Sequence, residues 1–238
     1  MNEPQRQDGV RLNKWIADSG YCSRREADRL IEDKKVTIDG RTGTLGDRVL
    51  PDMKVCVNGK PVGRQTHKVY IALNKPEGVV CTADPPEPMN VVDYIGHDER
   101  IFPIGRLDKD SNGLLLMTND GEIVNRILRA AGKHEKEYVV TVNKPITPEF
   151  LQKMSEGVEI LDTVTLPCKI TQEGKCCFRL VLVQGLNRQI RRMCEALGYR
   201  VLTLTRVRIM NITLGRLKPG HWRNLTSAEL ETLMNQLQ

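Results

Sequence analysis

Apolar and polar positions alternate in two rhythms along the chain, and the first rhythm is helical. In "RLNKWIADSG" the residues Leu12, Trp15 and Ile16 share one face, and Gly20 stands where a left-handed residue ends a helix. "SRREADRLIEDKK" opens with Ser23 as N-cap and Glu26 three residues later, a capping-box signature, and its buried stripe is Ala27, Leu30 and Ile31. Short strands follow: "VTI" before an Asp39-Gly40 turn, and "KVCVNGKPV" around an Asn58-Gly59 turn. These elements make a small α+β module over residues 10–62, and "GRQTHK" (63–68) reads as a linker.

The second module is richer in strands. "VYIALNKP" is a buried strand stopped by Pro76, and "IFPI", "LLLMT", "KEYVVTV" and "FRLVLVQ" carry strong strand signals. Helices are predicted at "GEIVNRILRAAG", "TPEFLQKMSEG", "NRQIRRMCEALG" and "SAELETLMNQL", and Asn112-Gly113 reads as a turn. Strands and helices do not alternate strictly, so the expected fold is α+β, with a mixed, largely antiparallel sheet flanked by helices. The domain boundaries set here are 1–66 and 67–238.

Composition narrows the function classes. The 238 residues include 39% apolar and 28% charged side chains, enough for a normal core. Thirty-six Lys and Arg against 30 Asp and Glu leave a net charge of +6, which favours a polyanionic partner. The seven cysteines are odd in number and have no C-x-x-C spacing, and the four histidines are scattered, so neither a disulfide framework nor a metal site is expected. The N-terminus lacks a hydrophobic signal region and no apolar run approaches 18 residues, so a cytoplasmic protein without a membrane partner is expected, as a monomer. Arg24 and Arg25 oppose the dipole in the first turn of their helix. With Arg11, Lys14, Lys34 and Lys35 they make a candidate RNA-phosphate face; the alternative is a solvated surface of mixed charge, because Glu32 and Asp33 lie close by.

Candidate chemistry centres on "GRLDKDSNG" (105–113), an acid-bearing connection between two apolar runs. On the helix "NRQIRRMCEALG", Ile190, Met193, Cys194 and Leu197 form the buried face, Arg188 and Arg192 point away, and Arg191 lies on the border. A border arginine can reach a sheltered carboxylate, so Arg191 is the expected partner that keeps Asp108 ionised. A metal site would normally need more acids or histidines, and a glycosidase a second carboxylic acid. One carboxylate suffices if the leaving group needs little protonation and is retained, as a uracil anion would be.

"LNKPEGVV", "GRLDKDSNGLLL", "KEY" and "GLNRQIRRM", in this order, resemble the pseudouridine synthases of the RsuA group, most closely its RluF branch. Residues 10–62 resemble the S4 RNA-binding domain that precedes their catalytic domain, so the likeness covers nearly the whole chain. It implies isomerisation of uridine to pseudouridine in RNA, without cofactor or metal. By position in the motifs, Asp108 matches the catalytic aspartate, acting at C1′ or through a glycal. Tyr138 matches the tyrosine that stacks on the target base, and Arg191 the basic partner of the acid. Arg106 matches the residue that fills the gap left by the flipped base, and Ile190 the residue that packs on the base. Arg188 and Arg192 count as substrate-binding, while Asn74 and Lys75 either brace the site floor or form a structural turn. The branch implies 23S ribosomal RNA, free or in an assembling large subunit, with a tRNA anticodon arm as a possible second substrate. Some members carry a long basic tail that this sequence does not show, so the RNA affinity of such a tail is expected to be absent. The competing readings are a non-catalytic RNA-binding or ribosome-assembly factor and an RNA N-glycosidase.

Overall fold

Leu12, Trp15 and Ile16 form the buried face of helix α1 (Leu12–Asp18), and Ala27, Leu30 and Ile31 that of α2 (Arg24–Glu32). The computed structural model describes residues 9–63, 67–82, 89–128 and 134–238. The chain divides into two units, one mainly the residues up to Lys68 and the other from Val69 on. In the first, Ser23 accepts a hydrogen bond from Glu26 N (3.1 Å), while the Glu26 carboxylate pairs with Arg29 (3.3 Å), so half of the expected capping box forms. Strands β1 (Val10–Arg11) and β4 (Arg48–Val49) pair, and β3 (Arg41–Thr42), β2 (Val36–Ile38), β5 (Val55–Val57) and β6 (Lys60–Val62) form a sheet in that order. Asp39 and Asn58 take positive φ (49° and 51°) before their glycines, as the tight hairpin turns require. Part of the sequence-predicted linker, residues 64–66, lies outside the described residues.

The second unit runs β7 (Tyr70–Lys75), α3 (Val91–Ile95), β8 (Phe102–Ile104), β9 (Asn112–Thr118), α4 (Gly121–Leu128), β10 (Lys136–Val142) and α5 (Pro148–Glu156). Then come β11 (Glu159–Ile160), β12 (Thr163–Val164), β13 (Lys169–Gly174), β14 (Cys177–Leu182), α6 (Gln189–Ala196), β15 (Val201–Ile209), β16 (Ile212–Thr213), β17 (Trp222–Asn224) and α7 (Ser227–Gln236). Among the described residues nine strands share one sheet, with the path β13-β14-β10-β15-β9-β7-β17, β16 on β15 and β8 on β9. Its pairs are antiparallel except β15 with β9, so the α+β mixed sheet expected from the sequence is present. Residues 129–132 of the predicted helix "GEIVNRILRAAG" lie outside the described residues. Strand β15 is missing from the elements predicted above. Its β-branched run was the signal, interrupted by Arg206 and Arg208.

Helices cover both faces of this sheet. Leu115 and Met117 pack into a core that contains Phe150, Met154, Ile190 and Met193, while Leu114 and Leu116 pack with Ile123, Ile127 and Leu233 on the other side. Burial on both faces is why "LLLM" is continuous rather than alternating. Among the described residues no helix is long and apolar enough to cross a membrane.

Helix α7 starts with a full capping box: Thr226 Oγ1 accepts from Glu229 N (3.2 Å), and the Glu229 carboxylate accepts from Thr226 N (2.9 Å). Arg223 of β17 forks onto the same carboxylate at 2.7 Å through each arm. The Arg223 hydrogen bonds, chiefly, pull the Glu229 carboxyl from its ordinary 4.5 to about 2. A depressed folded value stabilises above the unfolded one and is lost as pH falls through it. Glu229→Gln is therefore expected to cost about 1–2 kcal/mol at neutral pH, a gap that shrinks from near pH 4 towards pH 2. Urea unfolding of both proteins at neutral and acid pH measures it, and a pH-independent gap would contradict the pairing.

Candidate active site

Strand β8 ends at Ile104 and β9 begins at Asn112, and the segment between them carries Arg106, Leu107 and Asp108. Its path is tied down in three places. Leu107 N donates to Cys81 Sγ (3.4 Å), Gly78 N to Lys109 O (2.8 Å), and Ser111 N to Asp108 O (3.1 Å). Leu107 is buried in the core, whereas Arg106 is exposed and Asp108 half-buried, and both line a cleft of about 660 Å³. Asn112-Gly113 is not the turn expected from its residue types but the start of β9. Gly113 sits at φ +103°, and a Cβ there would run into the Arg206 carbonyl oxygen. The glycine thus serves the close approach of β9 to β15.

Strands β10 and β15 supply another wall. Tyr138 stands opposite Arg206 across the ladder, so the two side chains share a face. The register passes from Glu137 with Arg208 to Tyr138 with Arg206, skipping Val207. This bulge puts Arg206 on the cleft face and Arg208 on the other, although residues two apart in a regular strand point the same way. On that other face the carboxylates of Glu135 and Glu137 are taken by Arg208 (3.0 and 2.5 Å), and Glu137 also by Arg179 (2.7 Å). Lys136 lines the cleft with its Nζ on His134 O (3.3 Å); burial first, then Arg206, pushes its ammonium below the ordinary lysine range. Arg206, 3% exposed, donates from Nε to Leu114 O (2.7 Å) and from Nη1 to Arg106 O (3.4 Å). Its Nη2 is buried without a hydrogen-bond partner among the described residues. Lys136 and Arg206 escaped the sequence reading, although Lys136 stands in the quoted "KEY".

The turn at residues 183–188 and the start of α6 close the cleft. Ile190 is buried there, and Gln189 Oε1 accepts from Leu186 N (3.0 Å), fixing the entry to the helix. Arg188 takes the left-handed conformation (φ +49°) at the N-cap. Its guanidinium forks onto Asp110 (3.1 and 2.8 Å) and lies 3.6 Å from Asp108 Oδ2. The expected Asp108–Arg191 pair is not formed. Arg191 Nη2 donates instead to Asp110 O (2.5 Å) and Ser111 Oγ (3.2 Å), and its Nε is 3.4 Å from Asp110 Oδ2. A helical side chain leans back towards the helix N-terminus, and there Asp110, held by Arg188, is nearest. The Arg188 hydrogen bonds, above all, draw the Asp110 carboxyl below its ordinary range against its partial burial, with help from the Arg191 charge.

Asp108, Tyr138, Arg191, Arg106, Ile190 and Arg188 therefore meet around one cleft. Three others do not reach it. Arg192 turns back onto Asn187, through its carbonyl (3.1 Å) and its side-chain oxygen (3.2 Å). Asn74 is buried and donates to Leu217 O (2.8 Å). Lys75, also buried, donates to Pro76 O and Val79 O (2.8 Å each), and burial lowers its pKa. Both residues thus stand at the end of strand β7, tied to backbone carbonyls, and the turn that Lys75 holds carries Gly78, which supports Lys109 from behind. In the first unit Arg11, Arg24, Arg25, Lys34 and Lys35 are exposed, while Lys14 is half-buried. Lys14 is engaged by Asp18 (2.8 Å) and Lys35 by Asp33 (2.9 Å).

Among the described residues Asp108 is the only acid lining the cleft, and no three His, Cys, Asp or Glu converge as metal ligands. Such a site offers one carboxylate, an aromatic face, an apolar residue and several cations. Comparison with known proteins points the same way. The family model "RNA pseudouridylate synthase" matches residues 69–196, and that of the S4 domain residues 10–55. The chain is 54% identical to the dual-specificity RNA pseudouridine synthase RluF of Escherichia coli (strain K12), over 96% of this chain and 80% of that protein. It is 38% identical to the ribosomal large subunit pseudouridine synthase B of Bacillus subtilis (strain 168), over 94% and 95%. A crystal structure of a pseudouridylate synthase superposes with a TM-score of 0.69 at 28% identity, covering 94% of this chain and all of that one.

Proposed function

We propose, for this chain, which belongs to the RNA pseudouridylate synthase family and isomerises uridine in RNA, that its target lies in large-subunit ribosomal RNA and that Asp108 carries the chemistry. A tRNA anticodon arm is the second substrate, in keeping with the dual specificity in the name of the RluF relative. The observation that carries the site assignment is the convergence of Asp108, Tyr138, Ile190 and Arg106 on one cleft.

The target uridine leaves the RNA stack, because its glycosidic bond is out of reach inside a helix, and Arg106 takes its place. Tyr138 stacks on the base and Ile190 packs against it. The C1′–N1 bond breaks with its electron pair going to the base, while the Asp108 carboxylate bonds to C1′ or promotes loss of the C2′ proton. The retained base turns, and C5 bonds to C1′ as the Asp108–C1′ bond breaks or, on the other route, as the proton returns to C2′; C5 then gives up its proton and N1 gains one. The sum is an isomerisation, redox-neutral and balanced without a cofactor or metal. Residues 1–66 dock the RNA through Arg11, Lys14, Arg24, Arg25, Lys34 and Lys35, and residues 67–238 form the catalytic domain. The protein acts as a monomer in the cytoplasm.

The test is product analysis. Unmodified transcripts of 23S ribosomal RNA and tRNA, incubated with the protein, are expected to gain pseudouridine at one or a few defined positions, mapped by sequencing after chemical tagging of pseudouridine. Free uracil would instead indicate an N-glycosidase, and bound but unmodified RNA a non-catalytic factor.

A further inference from the structure

Two cations beside the aromatic platform, Arg206 buried and Lys136 half-buried, have no carboxylate to balance them among the described residues. Lys136 and Arg206 both line the cleft, and among the described residues neither forms an ion pair with an acid. The acids flanking Lys136 in sequence are consumed on the opposite face by Arg208 and Arg179. Arg206 is anchored through Nε and Nη1 to two backbone carbonyls, one of them that of Arg106, two residues before Asp108. Its remaining arm, Nη2, is buried and makes no hydrogen bond among the described residues. A buried donor left unsatisfied is costly, and two uncompensated cations add to the cost. An arrangement of this kind is complementary to negative charge that arrives only with the substrate.

We propose that Lys136 and Arg206 form a cationic cradle for the exocyclic oxygens of the target pyrimidine, and that they stabilise the negative charge that develops on the base as it leaves the sugar. The proposal rests on the pseudouridine synthase reading above. Depth favours the base over a phosphate. Arg206 is 3% exposed and stands directly across the ladder from Tyr138, so a ring stacked on Tyr138 has an edge against it. Exposed Arg106, and Arg188 with its side chain 40% exposed, lie nearer solvent and suit the phosphates that stay outside. In the step itself the C1′–N1 bond breaks, its electron pair spreads from N1 onto O2 and O4, and the two cations face those oxygens. The charge is absent from the bound uridine, so the cradle acts on the transition state more than on binding.

The test uses the full-length protein and the shortest transcript that wild type modifies, made with either uridine or 5-fluorouridine at the target. Fluorine withdraws charge from the departing base, so a 5-fluoro base needs the cradle less. Lys136→Met is expected to slow glycosidic bond cleavage on the uridine RNA on the order of 100-fold, measured in single turnover by nuclease digestion and mass spectrometry. On the fluorinated RNA the loss should be several-fold smaller, and RNA affinity should hold within a factor of about three. Lys136→Arg, which keeps the charge, is expected to recover most of the rate, and separates a charge effect from a folding defect. Equal losses on the two RNAs, loss of affinity in place of rate, or no recovery with arginine would overturn the cradle while leaving the enzyme's activity in place. A wild-type protein that makes no pseudouridine would overturn the underlying reading, and the cradle with it.

Discussion

Asp108→Asn is expected to lower pseudouridine formation by at least about 10³-fold while leaving the fold and RNA affinity intact. The amide has the shape of the carboxylate but neither its charge nor its nucleophilicity. The side chain is 36% exposed and its nearest ionic partner, Arg188 at 3.6 Å, keeps a closer pair with Asp110. Little stability therefore hangs on it, and the unfolding free energy should move by no more than about 0.5 kcal/mol. Single-turnover assays, urea unfolding and RNA titration of the same preparation measure the three quantities. Full activity in the variant would remove Asp108 from the chemistry; a large loss of stability would assign it a structural role instead.

Asp110→Ala is expected to be the more damaging change to the structure. Asp110 holds the fork of exposed Arg188 and the Nε side of the more sheltered Arg191, so its loss leaves both guanidiniums without their main counter-charge. The expected cost is about 1–3 kcal/mol. Arg188, released, then closes on Asp108, and isomerisation falls on the order of 100-fold because the acid is paired instead of free to react. Adding Arg188→Met should restore part of both losses, since the two residues act as one unit. Urea unfolding and single-turnover rates of wild type, both single variants and the double variant complete the cycle. Strictly additive losses would show that Asp110 and Arg188 are not coupled.

Much of this architecture is legible in residue order, for identifiable reasons. Thr147 before Pro148, Ser23 and Thr226 mark helix starts because a short polar side chain satisfies an N-terminal N–H, and each does so. Asp108 stood out because an acid between two fully apolar strands has no cheap structural explanation. Its surroundings were harder to read. The partner of Arg191 depends on where α6 begins, and that depends on Arg188 taking a left-handed conformation that arginine rarely adopts. The cleft position of Arg206 depends on the skipped Val207, since strict alternation would place Arg206 and Arg208 together. Asn74 and Lys75 share a motif with the site but not its surface. Adjacency in sequence tells a helper behind the wall from a residue in it only when the strand's direction of burial is known.

The burial of Leu107 between Arg106 and Asp108 makes spacing a requirement in this segment alongside residue identity. The leucine fixes the phase of the loop: one position inward, its two neighbours outward. A single insertion or deletion there would shift that phase and turn the reactive acid towards the hydrophobic interior, even though every residue of the motif remained. The placement of the acid is thus inherited from the oily core on which the loop is seated. It should stay sharp for as long as that core stays closed, and blur at the same temperature.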